Sequence, residues 1–329
     1  MKAIAILFTA GLLVSCAEKR TAPAADTREK ATKLQQVDVT TSAEFAAKNP
    51  TFDKYWFRGL AELNSYELSQ SRYGELHDGK AVLVFVTEPF LTDRQVKHES
   101  GPGENAEQVL KLNNYRRFNT GVYPYTMMTS TFTPARREGS SHKLTQTVTE
   151  WCGQVFAQMN LNPEQTGFDV QAFSYFQGEG DRAFALPTTL IEDDLWTRIR
   201  LGPDKLPTGT LQILPSVTYL RLLHKPWDIV EATATLGPPQ KTDYSDAPVR
   251  TYTLEYPTYE RTLKIFFEDA FPHRIVGWEE TAPSVFQREG EPQQLLTTRA
   301  KLSASIMLDY WARHGNEGRI WRQVLNLDE

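Results

Sequence analysis

The sequence predicts a mainly β protein with peripheral α-helices, built on a large curved antiparallel sheet or an open or half barrel. Apolar and polar residues alternate over many short segments, most regularly at 251–256 and 262–267. Aromatic residues, which favour strands, make up 11% of the 329 residues. Helical periodicity is confined to a few segments, so the strands must supply most of the core.

Two helices are predicted at the periphery of this sheet, near 51–64 and 294–313. Asn49-Pro50-Thr51 is a helix start signal, and apolar residues then recur at near-helical spacing. The second segment has apolar residues on one side and Gly315 beyond its end. Helical spacing near 187–210 could divide the chain into two β subdomains.

Between these helices the pattern indicates hairpins. Asp78-Gly79 lies between two strand-like segments and is a hairpin signal. The segment 81–86 is apolar on both faces, so we expect a strand inside the sheet, covered by one of the two predicted helices. Further strands are predicted at 109–119, 122–132, 142–158 and 169–176.

The first sixteen residues predict export and lipidation. Lys2 gives a positive start, and the apolar run at 3–13 is too short to be a transmembrane anchor. Leu13-Val14-Ser15-Cys16 then resembles the bacterial lipobox, in which the peptide is cut before a cysteine that receives a diacylglycerol. We therefore expect a signal peptide at 1–15 and lipidation at Cys16.

The predicted domain organisation follows from this start. Residues 16–44 are small, polar and rich in breakers, which is typical of a flexible tether, and 45–329 would form a single extended β-rich domain. Ala17 after the lipidated cysteine is typical of an outer-membrane address. The expected location is the cell envelope, as an outer-membrane lipoprotein on either face of that membrane.

Composition and motifs exclude several classes of function. There are 36 basic and 41 acidic residues, scattered and with a net charge of −5, which does not predict nucleic-acid binding. None of the six histidines pairs with another at metal-ligand spacing, and no phosphate-binding glycine loop is present. We expect neither a metal nor another cofactor.

Cys152 is the one cysteine left after lipidation. Trp151-Cys152-Gly153 is similar to the opening of a thioredoxin-like redox site, but Val155 stands where the second cysteine is needed. We expect Cys152 to be a buried apolar residue. A periplasmic hydrolase using dispersed carboxylates or Cys152 remains an alternative.

Aromatic residues interleave with threonine over 115–132, which could line a groove for an apolar ligand. Ordinary sheet core is the alternative interpretation. The candidate lining residues are Tyr115, Phe118, Tyr123, Tyr125, Met127 and Phe132.

Several motifs resemble a family of Bacteroidota-type outer-membrane lipoproteins. They include Phe52-Asp53-Lys54-Tyr55-Trp56, Val84-Phe85-Val86-Thr87-Glu88 and Asn119-Thr120-Gly121-Val122-Tyr123. Some relatives are labelled septum formation inhibitor Maf, but no Ser-x-x-Arg phosphate loop of the kind found in Maf nucleotide pyrophosphatases opens an α/β unit here. The late strands also resemble LolA/LppX-type half-barrels, in which a sheet wraps a helix and holds acyl chains.

These observations predict a lipid-anchored envelope protein that is not an enzyme. It would bind or carry an apolar ligand, or support an outer-membrane assembly. Its partners would be the membrane, through the lipid, and an apolar ligand or an envelope protein. A Maf-type pyrophosphatase is a disfavoured alternative, because no phosphate loop opens an α/β unit and the predicted export removes the protein from nucleotide pools.

Overall fold

The computed structural model describes residues 50–101, 103, 105–284 and 293–327, which all belong to one compact unit. The predicted signal peptide (1–15), the predicted tether (16–44) and Cys16 lie outside the described residues. No helix in the described part is long and apolar enough to cross a membrane.

Strands dominate the described chain, which confirms the mainly β prediction. The helices are α1 (Pro50–Trp56), α2 (Glu192–Leu201), α3 (Val217–Leu222) and α4 (Ile320–Val324). The strands are β1 (Ala61–Arg72), β2 (Glu75–Leu91), β3 (Val96–Lys97), β4 (Ala106–Thr120), β5 (Tyr123–Pro134), β6 (Lys143–Glu150), β7 (Gly153–Leu161), β8 (Gly167–Ser174), β9 (Arg182–Pro187), β10 (Leu190–Ile191), β11 (Gly209–Leu214), β12 (Val230–Leu236), β13 (Gln240–Thr242), β14 (Ser245–Tyr256), β15 (Arg261–Glu268), β16 (Ile275–Pro283) and β17 (Leu295–Leu308).

These strands form one large sheet that does not close into a barrel. Across it the order is β9-β8-β7-β6-β5-β4-β2-β1-β17-β16-β15-β14-β12-β11-β10, with β3 beside β2 and β13 beside β14. All pairings are antiparallel except β10 with β11. The first and last strands, β1 and β17, are therefore neighbours at the centre of the sheet.

Helices α2 and α3 lie against one face of the sheet, called the inner face here. From α2, Trp196 packs edge-on against Trp278 of β16, with ring centroids 5.2 Å apart. The same cluster includes Leu112 of β4 and Leu254 of β14, so α2 joins the two halves of the sheet. The segment 187–210, considered above as a division, thus contributes to a shared core.

The predicted helix near 294–313 is wrong, since this segment is mostly strand β17. It pairs with β1 on one edge and β16 on the other, so neighbouring strands satisfy its backbone groups. The helix predicted near 51–64 is real but shorter. Helix α1 ends at Trp56, and Gly59 has a φ of 74°, which turns the chain into β1.

The predicted hairpin turn is also displaced. Tyr73 and Gly74, both with positive φ, connect β1 to β2, whereas Gly79 lies inside β2. A Cβ at residue 79 would collide with the carbonyl oxygen of Arg117 on β4, so glycine is needed there for close strand approach. The predicted strand 142–158 is in fact β6 and β7, which turn at Trp151-Cys152.

The segment 81–86 lies inside the sheet, as predicted, because β2 pairs with both β1 and β4. Leu83 and Phe85 are fully buried on the inner face. On the outer face Val86 packs with Leu308 and Leu325. The C-terminal segment around α4 therefore covers the outer face. The inner face is covered in part by α1, the helix predicted at 51–64, whose Trp56 ring lies 6.4 Å from that of Phe85.

Candidate functional site

The interior between α2 and the sheet contains a buried ion pair. Arg200 of α2 donates from Nη1 and Nη2 to the two carboxylate oxygens of Glu62 on β1, each at 2.6 Å. Asn64 Nδ2 also donates to Glu62, at 2.6 Å. Burial alone would raise the pKa of Glu62, but the Arg200 guanidinium and these hydrogen bonds hold it below its ordinary value. This pair attaches α2 to the central strand.

A second buried network holds the other end of α2. Arg261 of β15 donates to both oxygens of Glu192, at 2.6 and 2.7 Å, and to Glu280 at 2.8 Å. Tyr256 donates to Glu192 at 2.6 Å. These carboxylates are engaged by an arginine from the protein itself, which is typical of structural ion pairs rather than of acids facing a substrate cleft.

Asp193 links α2 to α3. It accepts hydrogen bonds from Ser216 Oγ at 2.8 Å and from the Val217 amide at 2.9 Å. Burial, and then the neighbouring charge of Glu192, raise the pKa of Asp193 to about 7. The group is enclosed and serves the helix junction.

The candidate ligand-lining residues divide between the two faces of the sheet, because adjacent residues on a strand point in opposite directions. Phe118, Tyr123, Tyr125 and Met127 belong to an inner cluster, in which Phe118 and Tyr125 stack at 5.0 Å. In contrast, Tyr115 and Phe132 stand at outward positions of β4 and β5. The structure therefore brings four of the six residues together.

This inner cluster is closed by polar contacts rather than open to a ligand. Tyr73 and Tyr125 share a hydrogen bond of 2.7 Å, and the Arg72 guanidinium lies 4.2 Å from the centre of the Tyr73 ring. The recess beside Arg72 and Tyr73 has a volume of about 40 Å³. That holds one or two water molecules, whereas small-molecule sites have volumes of roughly 300–1,000 Å³.

Cys152 is exposed in the turn between β6 and β7, so the expectation that it is buried is wrong. The local reason is the tight turn, which places Cys152 beyond both strands. Its amide donates to Glu150 at 2.6 Å. The Glu150 carboxylate also raises the pKa of the thiol, which makes the thiolate nucleophile scarcer.

Within the residues that the structure describes, no group of three or more His, Cys, Asp or Glu side chains could hold a metal ion. His142 is instead bound to Glu107, at 2.7 Å from Nε2. His224 contacts Glu179 at 2.6 Å. Each histidine is therefore engaged by a glutamate of the protein, His142 in a buried position and His224 in a more exposed one.

The outer face of β5–β8 is the candidate functional site, and we call it the uncharged face. Its outward side chains carry no ionisable group over three successive cross-strand rows. They are Thr126, Met128, Ser130, Thr145, Thr147, Thr149, Gln154, Phe156, Gln158, Gln171 and Phe173.

The middle row of this face is apolar and exposed. Strand register places Met128, Thr147, Phe156 and Phe173 side by side, with Tyr115 next to Met128. Met128 is 40% exposed, Phe156 37% and Phe173 43%. The Phe156 and Phe173 rings lie 6.3 Å apart and nearly parallel. Apolar groups exposed in one row mark a contact surface more than scattered ones do.

The other half of the same outer face is charged. There the equivalent row is Thr253, Lys264, Glu279 and Arg299 on β14–β17. Arg299 donates to Glu279 at 2.7 Å and remains 60% exposed at its side chain. The lack of charge over β5–β8 is thus a local property and not a feature of the whole sheet.

Comparisons with protein-family models, with curated proteins and with solved structures found no match to this chain. The resemblances to Bacteroidota-type lipoproteins and to LolA/LppX-type half-barrels therefore stay predictions. The site has to be interpreted from its own chemistry.

Proposed function

We propose that the protein is a lipid-anchored envelope protein without enzymatic activity, which docks a protein partner of an outer-membrane assembly through the uncharged face. The observation that carries this proposal is the exposed row of Met128, Phe156 and Phe173 within a face that has no ionisable group. Protein interfaces are depleted of charge at their centres and enriched in aromatic residues and methionine.

The physical reason is the cost of removing charges from water. A lysine or glutamate at the centre of an interface loses its hydration, and an unpaired buried charge is costly. Threonine and glutamine side chains can exchange water for a partner's hydrogen bonds at little cost. A solvated surface has no such constraint, and the β14–β17 half carries charges accordingly.

The interior gives less support to the carrier version of this function. Its carboxylates are paired with arginine, α2 and α3 occupy the inner face, and the recess beside the tyrosine cluster is about 40 Å³. An acyl chain would have to displace packed side chains. Docking on the outer face needs no rearrangement of the core.

The test is a pair of matched substitutions, Thr147→Glu on the uncharged face and Thr253→Glu on the charged half. Both residues point outward from strands. Thr253 lies directly opposite Lys264, so a glutamate at position 253 would face a positive charge and should be tolerated. Membranes from cells producing each variant are solubilised gently, and the size of the tagged complex is measured on native gels. We expect Thr147→Glu to release the protein from its complex and Thr253→Glu to leave the complex intact.

Thermal unfolding of both variants provides the folding control, since exposed substitutions change stability by only about 0.5 kcal/mol. Phe156→Glu gives a second, stronger test on the same row. Equal migration of the wild type, Thr147→Glu and Phe156→Glu would contradict the proposal. The proposal would also be contradicted if the wild-type protein migrates as a free monomer even after chemical crosslinking.

A further inference from the structure

A second surface feature lies away from the uncharged face, where the loop joining β5 to β6 meets the C-terminal end of α2. A pocket of about 390 Å³ opens there, which is within the range of small-molecule sites, roughly 300–1,000 Å³. We call it the cationic pocket. Its apolar part is formed by Ala135 and Leu201.

The charged side chains around the pocket are mainly basic. Arg136, Arg137, Arg198 and Lys205 line it, against a single lining carboxylate, Glu138. Glu138 is itself paired with Lys205 at 2.7 Å, in a contact that is exposed on both sides. Exposed pairs of this kind contribute little and exchange readily with other ions.

Two of the arginines pair with acids that do not line the pocket. Asp53 contacts Arg136 at 3.0 Å, and Glu107 contacts Arg137 at 2.6 Å, yet neither acid lines the pocket. An arginine guanidinium has five N–H donors in a planar fork, so an acid on one side leaves donors for a ligand on the other.

Arg198 joins α2 to the loop that forms the other side of the pocket. Its Nη2 donates to the Gly139 carbonyl at 3.1 Å, and Asp194 lies 3.8 Å away at the same nitrogen. Its Nε is buried and has no hydrogen-bond partner within the described residues. Because Nε is enclosed by the protein, a ligand in the pocket would be bound by the terminal nitrogens of this guanidinium.

The Arg137 guanidinium lies close to Gly139, where a side chain would take up space. Its φ is +153°, and a Cβ there would reach the Arg137 Nη1 atom. The absence of a side chain therefore lets Arg137 lie against the loop at the mouth of the pocket.

We propose that the cationic pocket binds a phosphoryl group attached to a small apolar body. Three arginines and a lysine around one recess match a dianion better than the single charge of a carboxylate, and guanidinium forks bind phosphate oxygens two at a time. Ala135 and Leu201 would contact the apolar body. This ligand site is independent of the docking proposed above, since the pocket and the uncharged face share no residue.

A phosphoryl group of this kind could come from a soluble phosphoester or from a lipid headgroup. The experiment therefore uses two probes, phenyl phosphate and dihexanoyl phosphatidic acid, in calorimetric titrations. The full chain carries Cys16→Ala so that no detergent is needed. Tighter binding of phenyl phosphate supports a soluble phosphoester, and tighter binding of the lipid supports a headgroup. If neither probe gives a heat of binding, the proposal is overturned.

Three variants test the location. Arg198→Gln should weaken the binding of the better probe by about tenfold, and Lys205→Gln by about threefold, as expected for charged hydrogen bonds of different burial. Arg299→Gln is the matched control, because Arg299 is also paired with a glutamate but lies on β17, outside the pocket. Its affinity should equal that of the unsubstituted protein.

Lys205 is largely exposed, so Lys205→Gln keeps the test valid even if Arg198→Gln fails to fold. If Lys205→Gln and Arg198→Gln each bind the better probe as tightly as the unsubstituted protein does, the ligand binds elsewhere. Equal weakening by Arg299→Gln would mean that the anion binds to surface charge in general. Either result overturns the proposed site.

Discussion

Arg200 is the residue on which the attachment of α2 depends most directly. Arg200→Ala would leave the Glu62 carboxylate buried without its cation, which typically costs about 3–5 kcal/mol of folding free energy. Arg299→Ala removes an exposed partner of Glu279 and should cost about 0–1 kcal/mol. Urea unfolding of both variants measures the difference. Similar losses in the two proteins would contradict the structural role of the buried pair.

Asp193 makes stability depend on pH in the direction opposite to most carboxylates. Its pKa is raised to about 7 in the folded protein, so the folded state holds this proton more tightly than the unfolded chain does. Its contribution to stability is therefore lost as the pH rises from about 4 to about 7.

Asp193→Asn cannot ionise and removes this loss. Its stability relative to the wild type should rise by more than about 1 kcal/mol between pH 5 and pH 8, measured as urea midpoints at each pH. The Asn carbonyl oxygen can still accept from Ser216 or Val217, so the helix junction is kept in part. Parallel stability curves for the two proteins would show that Asp193 does not titrate in this range.

Strand β2 is the element whose two faces can be compared within adjacent residues. Phe85 is fully buried on the inner face, and Val84 is half-buried on the outer face beside Trp321. Phe85→Asp should lower the free energy of unfolding by more than about 4 kcal/mol, and Val84→Asp by about 1–3 kcal/mol. Equilibrium unfolding in urea distinguishes the two. An equal loss would mean that α4 covers the outer face as tightly as α2 covers the inner one.

Elements formed by local residue patterns could be predicted from the sequence. Elements that depend on pairing with distant strands could not. The alternation over 251–256 and 262–267 is a local signal, and both segments are strands. The apolar spacing near 294–313 also looked local, but pairing with β1 and β16 decided the conformation. Asp78-Gly79 had a turn signal, although its glycine is required by the close approach of β4.

The candidate site could be predicted only in part for the same reason. The apolar and threonine-rich composition of 115–132 was visible, but the uncharged face needs the register that aligns Met128 with Thr147, Phe156 and Phe173. Register is set by pairing between distant segments. The cationic pocket likewise joins residues 133–139 to 198–205, which no local pattern connects.

At the scale of the whole molecule, the proposed lipid on Cys16 would attach the protein to the membrane. Cys16→Ala should move the protein from the membrane fraction to the soluble fraction after a high-salt wash, because the variant cannot receive the proposed lipid. Cys152→Ala is the matched control and should stay with the membrane, since its exposed thiol lies in the turn after β6. Immunoblots of the two fractions measure the outcome. Membrane retention of Cys16→Ala would contradict the lipid anchor.

The pairing of β1 with β17 also determines when the protein can finish folding. Ala61 pairs with Leu308 and Ser69 with Arg299, so the middle of the sheet is absent until the chain has been made as far as residue 308. Contacts this distant in sequence form late. A chain that carries an export signal must pass its translocation channel before it folds. If the protein is exported as we propose, this topology would delay folding before translocation, because β1 has to wait for β17.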